Sequence, residues 1–300
     1  MNAIATRIRA GTEGNLIVRL LPLAVALVVP FVVNVAPAWL LMWLTAGAIW
    51  VGCKCAVGPA FADLRTMGVK SFVAWWLWPG MDPKPFVQPR RIGPVAAVEW
   101  LQAIGCALIG SILFLAVAPE SGRANGLNAG WVAWAGIILF LHFGVFHVMA
   151  LVLRLNGVAV RPLMADPVGA LTVAEFWGQR WNHAFQEVSH RLLFAPLARV
   201  AGPRWAILAV FFVSGLVHEL VITVPARGGY GLPTLYFVIQ GGALLTQKSR
   251  WARGLGLDEG WRARAFTLIT VAVPVVALFP PQFLRAVILP FVSDVASLFS

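Results

Sequence analysis

Uncharged apolar runs of roughly 20 residues recur along this chain, separated by short clusters of charge. They predict membrane-spanning helices at 15–33, 37–57, 94–118, 130–153, 205–224, 232–247, 265–280 and 282–299. A hydrocarbon core about 30 Å thick takes about 20 helical residues to cross. The runs are continuous rather than alternating, so they suit helices and not the strands of a barrel. No repeat, low-complexity tract or long linker divides the chain. The predicted architecture is all-α: one polytopic membrane domain over residues 1–300 with about eight transmembrane helices.

Two stretches depart from the spanning pattern. In 58–92, Asp63, Arg65 and Lys70 alternate with apolar positions, then Trp75, Trp76, Trp78 and the turn-rich WPGMDPKPF follow. Tryptophan gathers at membrane interfaces because its ring is apolar and its N–H wants water. In 155–204, Thr172 and Glu175 have the spacing of a capping box that starts a helix. The sequence FWGQRWNHAFQEVSHRLL then puts Trp177, Trp181, Phe185, Val188 and Leu192 on one side. Gln179, Asn182, His183, Gln186 and His190 fall on the other. Both stretches predict interfacial amphipathic helices, at 58–92 and 172–195.

Composition sharpens this picture. The chain is 60% hydrophobic and 12% charged, outside the range of soluble domains. Its formal net charge of +11 invites a nucleic-acid reading. With the N-terminus (Arg7, Arg9) in the cytoplasm, however, only Arg123, Arg227 and Arg285 among the 23 Lys and Arg fall outside. Positive-inside asymmetry therefore accounts for the charge without nucleic acid. Arg19 and Lys54 lie near the inner ends of their spans, where long side chains snorkel. Cys53, Cys55 and Cys106 form neither a disulfide framework nor a zinc pattern and read as packing residues. The first fourteen residues lack a signal-peptide cleavage pattern, so the first span is expected to be retained.

Ionisable groups deep in a span suggest function by default. His218 stands about 20 Å from one end of its helix at 1.5 Å per residue. A neutral imidazole there suits a general base, and a histidine tying two helices together is the plain alternative. Ser214 lies one turn before it, conceivable as a nucleophilic partner and more simply as a hydroxyl bonded to the ring. Glu219 reads as a protonated or Arg-paired carboxyl, and Gly215 as a point of close approach for a helix or an acyl chain. His142 and His147 are five apart, do not share a helix face, and read as core residues. His183, Glu187 and His190 have ligand spacing on a helix. Five histidines in all, with no adjacent pair, argue against a di-iron lipid oxygenase, so no metal is expected.

FWGQRWNHAF at 176–185, followed by SGLVHEL at 214–220 in the next long apolar span, resembles the membrane-bound O-acyltransferases. The likeness is to the wax-synthase-like branch, related to acyl-CoA diacylglycerol and sterol acyltransferases. It implies catalysis by His218 with Asn182, and His183 as a possible second polar residue in Asn182's place. It also implies substrate contacts at Trp177, Trp181, Gln179 and Arg180. Acyl-CoA is then co-substrate, with no other cofactor, and its phosphates have Arg90, Arg91, Lys248 and Arg250 available on the inner side. The expected acceptor is a lipid alcohol, first a long-chain fatty alcohol giving a wax ester. A diacylglycerol or sterol comes second, and O-acetylation of a polysaccharide third. A non-enzymatic lipid transporter is the alternative from another class. The expected location is a bacterial inner membrane with the N-terminus cytoplasmic.

Overall fold

The computed structural model describes residues 20–33, 37–57, 67–87, 93–117 and 126–298. Arg7, Arg9, Arg19, Asp63, Arg65, Arg90, Arg91, Arg123 and parts of the expected elements at 15–33, 58–92 and 119–129 lie outside them. The described residues are helical with turns between, and no strand occurs among them. In chain order the principal helices are α1 (Leu20–Val32), α2 (Ala38–Val57), α3 (Val69–Leu77), α4 (Ala97–Val117) and α5 (Gly126–Leu155). After them come α6 (173–180), α7 (183–201), α8 (Pro203–Ala226), α9 (Leu232–Gln247), α10 (Gly260–Leu278) and α11 (281–297).

Among the described residues, five helices are long and apolar enough to cross a membrane unaided: α2, α4, α5, α8 and α10. Helices α1, α9 and α11 occupy the remaining expected spans but are shorter. Much of the apolar surface of α4 and α8 faces outward, as a lipid-facing surface must (Leu101, Ile112, Phe212, Leu216). The chain is an all-α polytopic membrane protein.

Two apolar cores organise the bundle. One gathers Met42, Ile137, Phe211, Ile222, Tyr236, Phe237, Phe283 and Ile288. The other gathers Ile49, Cys53, Val57, Trp75, Trp78, Met81, Phe86 and Val188. Helix α8 joins them, with Phe211 and Ile222 in the first core and Val217 packed on the second. Helices α8 and α9 run antiparallel, because Gly215 faces Thr234 while Phe211 faces Gly241. A Cβ on Gly215 would stand 2.6 Å from the Thr234 Cα, so the close approach expected at this glycine is taken by α9.

The expected continuous helix at 172–195 is broken. Thr172 Oγ1 does accept from Glu175 N at 3.1 Å, and Glu175 Oε2 reaches back to Leu171 N at 2.8 Å. But α6 ends in a wide π-type turn at Phe176–Arg180, and a new helix starts after Asn182. The cause is packing. Val173, Ala174 and Trp177 pack on the first core; Ala184, Val188 and Leu192 pack on the second. One straight helix cannot serve two cores, so the chain turns between them. Asn182 takes φ 47, ψ 68, which asparagine tolerates better than most residues, and its Oδ1 caps α7 at Phe185 N (3.2 Å).

Lys54 does not snorkel. It is fully buried, with Nζ 2.6 Å from Trp75 O and 2.7 Å from Gly80 O, and 4.3 Å from the Trp75 ring centroid. Two carbonyls and an aromatic face supply in place the solvation that the head group would otherwise seek at the surface.

Candidate active site

His218 lies near the middle of α8, where regular α-helix gives way to a π-turn at Glu219–Thr223. Such turns widen a helix locally and recur at functional positions. The His218 Nδ1 is 2.7 Å from the Ser214 carbonyl oxygen. A carbonyl only accepts, so Nδ1 carries the proton and Nε2 keeps its lone pair. The ring is held between Phe237 of α9 (centroids 4.4 Å apart) and Phe185 of α7 (6.3 Å). The expected hydroxyl-to-ring bond from Ser214 does not form. Ser214 Oγ donates instead to Val210 O at 2.7 Å, a bond along its own helix that leaves it unsuited as a nucleophile partnered by His218.

Glu219 has no arginine partner among the described residues; hydroxyls and a backbone N–H meet its carboxyl instead. Its Oε1 accepts from Thr234 N (3.1 Å) and Thr234 Oγ1 (2.9 Å), and its Oε2 accepts from Thr223 Oγ1. Thr234 is in the first turn of α9, so the carboxylate caps that helix from a neighbouring one and meets the positive end of its dipole. This bond sets the height of α9 against α8, and hence of Phe237 against His218. Nothing in the spacing of Glu219 signals it.

The segment 160–165 braces the break before α7. Ala165 N donates to Arg180 O (2.8 Å) and His183 N to Leu163 O (3.1 Å). Arg180 donates from Nε to Glu175 (2.7 Å) and from Nη1 to the Asp166 carboxylate (3.1 Å) and carbonyl (2.9 Å). Its guanidinium thus ties the loop to α6. The Leu171 N–H and the Arg180 guanidinium hold the Glu175 carboxyl below the usual range. Trp177 Nε1 donates to Gln240 Oε1 (3.2 Å) and its ring meets Phe211, Tyr236 and Phe237, anchoring α6 to α9. Trp181 stacks on Phe176 with ring centroids 5.6 Å apart. Gln179 is exposed.

Asn182 is brought to the turn that carries Phe185, though no hydrogen bond joins it to His218 among the described residues. With Oδ1 used by the cap, Nδ2 is the end with protons to offer. The neighbouring His183 is half-buried, and burial together with the nearby Arg161 pushes its imidazole pKa down. Lys248 and Arg250 are exposed at the far end of α9 from Glu219. Eleven residues separate Phe237 from Lys248, roughly 16 Å along a helix. Among the described residues, no three His, Cys, Asp or Glu gather as metal ligands. His183, Glu187 and His190 do not form a ligand set.

This geometry defines a class: a polytopic helical membrane protein with a half-buried histidine between an amphipathic motif and two antiparallel helices. Residues 160–239, which hold Asn182, Phe185, Ser214, His218, Glu219 and Phe237, match the sequence profile of the Membrane bound O-acyl transferase family. The chain is 32% identical over 146 residues to a probable long-chain-alcohol O-fatty-acyltransferase 2 of Arabidopsis thaliana, covering 45% of this chain and 43% of that protein. It is 25% identical over 198 residues to a probable long-chain-alcohol O-fatty-acyltransferase 6 from the same plant, covering 62% and 57%. An acyl-CoA–sterol O-acyltransferase 1, also from Arabidopsis thaliana, matches at 26% over 161 residues, covering 47% and 46%. The matched regions span about half the length of these relatives. Over residues 160–239 the chain is thus similar to the Membrane bound O-acyl transferase family, and these relatives carry O-acyltransferase names.

Proposed function

We propose that this protein transfers an acyl group from acyl-CoA to the hydroxyl of a lipid alcohol within the membrane, and that the alcohol is a long-chain fatty alcohol. The observation that carries the reading is the Nδ1–Ser214 bond, which fixes a lone pair on Nε2 of a histidine held between two aromatic rings. Nε2 takes the proton from the alcohol as its oxygen attacks the thioester carbonyl carbon. The oxyanion that forms receives a hydrogen bond from Asn182 Nδ2. Collapse breaks the C–S bond, and the departing thiolate takes the proton back from the imidazolium, leaving ester and free CoA. The apolar surroundings exclude water, whose attack on the thioester would waste the donor.

Further support comes from the direction of α8 and α9. Their shared end carries Arg204, Lys248 and Arg250, and His218 lies about 21 Å from Arg204 by helical rise. That separation suits a donor with a phosphate-bearing head among basic groups and a thin tail running inward. On the charge asymmetry, we place this end and the N-terminus on the cytoplasmic side of a bacterial inner membrane. The names of the plant relatives support a fatty-alcohol acceptor, and one name supports a sterol. The test is purified protein with labelled palmitoyl-CoA and hexadecanol, a diacylglycerol or a sterol. Ester with hexadecanol is the expected product. Ester only with the sterol moves the acceptor, and lipid movement without any ester overturns the reaction.

A further inference from the structure

A group of ionisable side chains lies away from the imidazole, with Lys54 fully buried and Asp82 and Glu187 half-buried. The segment from Trp75 to Asp82 is folded around Lys54 by the two carbonyl bonds to its ammonium. Trp50 Nε1 donates to Pro79 O (3.2 Å) and Trp75 Nε1 to Met81 O (3.1 Å), fixing the same segment to α2 and to itself. Helix α7 rests on it, with Ala184 and Val188 in one apolar core with Trp75, Trp78, Met81 and Phe86. Between those two contact residues Glu187 reaches the segment, and its carboxyl accepts the Asp82 backbone N–H. The same helix is capped by Asn182 and carries Phe185 against His218.

We infer that Glu187 is a positioning residue for acyl transfer: it docks α7 on the Trp75–Asp82 segment and so sets the place of Asn182 and Phe185 beside His218. The inference rests on the acyl-transfer reading above. Burial first, and the Asp82 carboxylate second, push the Glu187 carboxyl up to about 7, opposed by Arg191 and Lys54. Those three are the charged groups that act on it, from the turn, from its own helix and from α2. The protonated carboxyl is therefore the form that suits the docked helix. A carboxyl whose pKa is raised on folding contributes its stability at low pH and loses it as pH rises through the folded value. Above about 7 the carboxyl carries a charge that burial and the Asp82 carboxylate disfavour, and the docking loosens.

The test measures kcat and KM for ester formation across neutral pH in the whole protein, together with the thermal midpoint read by tryptophan fluorescence. In the wild type, kcat and the midpoint should both fall as pH rises through about 7. Glu187→Gln, a neutral mimic of the protonated acid, should keep the low-pH kcat and hold both quantities through that range. Glu187→Ala should lose kcat on the order of 100-fold with little change in KM, the usual size of effect for misplaced catalytic groups. If Glu187→Gln forms ester with the wild-type pH profile, the positioning role is wrong. If the wild type forms no ester at any pH, the acyl-transfer reading fails. The midpoints then still judge the docking: parallel curves for wild type and Glu187→Gln overturn it, and a flattened curve in the variant supports it.

Discussion

Two side chains carry the proposed chemistry, and each has a substitution that separates chemistry from folding. His218→Gln keeps a polar group of similar reach and removes the basic nitrogen. Ester formation should drop to background while expression and the thermal midpoint stay near wild type. Substantial residual activity would mean that another group takes the proton. Asn182 has two jobs at opposite ends of one amide, since Oδ1 caps α7 and Nδ2 is the proposed oxyanion donor. Asn182→Asp retains the capping oxygen and removes the donor. Activity should fall on the order of 100-fold or more, as for other lost oxyanion donors, with the fold intact. An active Asn182→Asp protein would shift the donor role to another residue, with His183 the first to examine. His218 was legible as a deep ionisable group in an apolar run. The carbonyl that sets its tautomer and the two rings that hold it were not, because the partners come from the backbone and from distant helices.

At the scale of elements, the contact of α8 with α9 is the one that positions His218, the proposed base. Gly215 permits it and Glu219 locks it. Gly215→Leu would drive a side chain into the Thr234 backbone. Destabilisation of about 1–3 kcal/mol is expected, typical of overpacking, seen as a lowered thermal midpoint. Activity should fall further than the folded fraction, since Phe237 moves with α9. An unchanged midpoint would show that the two helices are not in close contact at this level. The capping box at Thr172 and Glu175 was readable from local sequence, since its bonds are local. The break at Trp181–Asn182 was not, because the periodicity of FWGQRWNHAFQEV continues across it. Competition between two cores ends the helix there, and Asn182 is a residue able to bear the left-handed turn that results.

For the molecule as a whole, orientation and substrate reach are linked through α9. Tyr230 and Arg250 stand at its opposite ends and are exposed. In a background without Cys53, Cys55 and Cys106, Tyr230→Cys should label from outside the cell and Arg250→Cys only after permeabilisation. Labelling of both from one side would mean that α9 does not cross the membrane, and would displace the proposed CoA entrance. With that entrance, each buried CH₂ of the donor contributes about 0.8 kcal/mol, so kcat/KM should climb steeply from acetyl-CoA to palmitoyl-CoA with hexadecanol as acceptor. A preference for acetyl-CoA would sink the wax-ester reading and leave acyl transfer standing.

The sequence by itself determined that this chain lives in a membrane, that it is helical, and where nearly every helix runs. Hydrophobic burial in lipid and obligatory backbone hydrogen bonding leave few other solutions for long uncharged runs. It also marked His218, because an ionisable group in such a run has no structural excuse without a partner. Only the tertiary structure decided which partners those were. Glu219 reaches from α8 to cap the first turn of α9, Lys54 is clamped by a turn 21 to 26 residues away, and Glu187 reaches Asp82 over still more chain. Such contacts depend on which helix faces meet, and that is set by packing complementarity among all the elements, which no local pattern of hydrophobic and polar residues records.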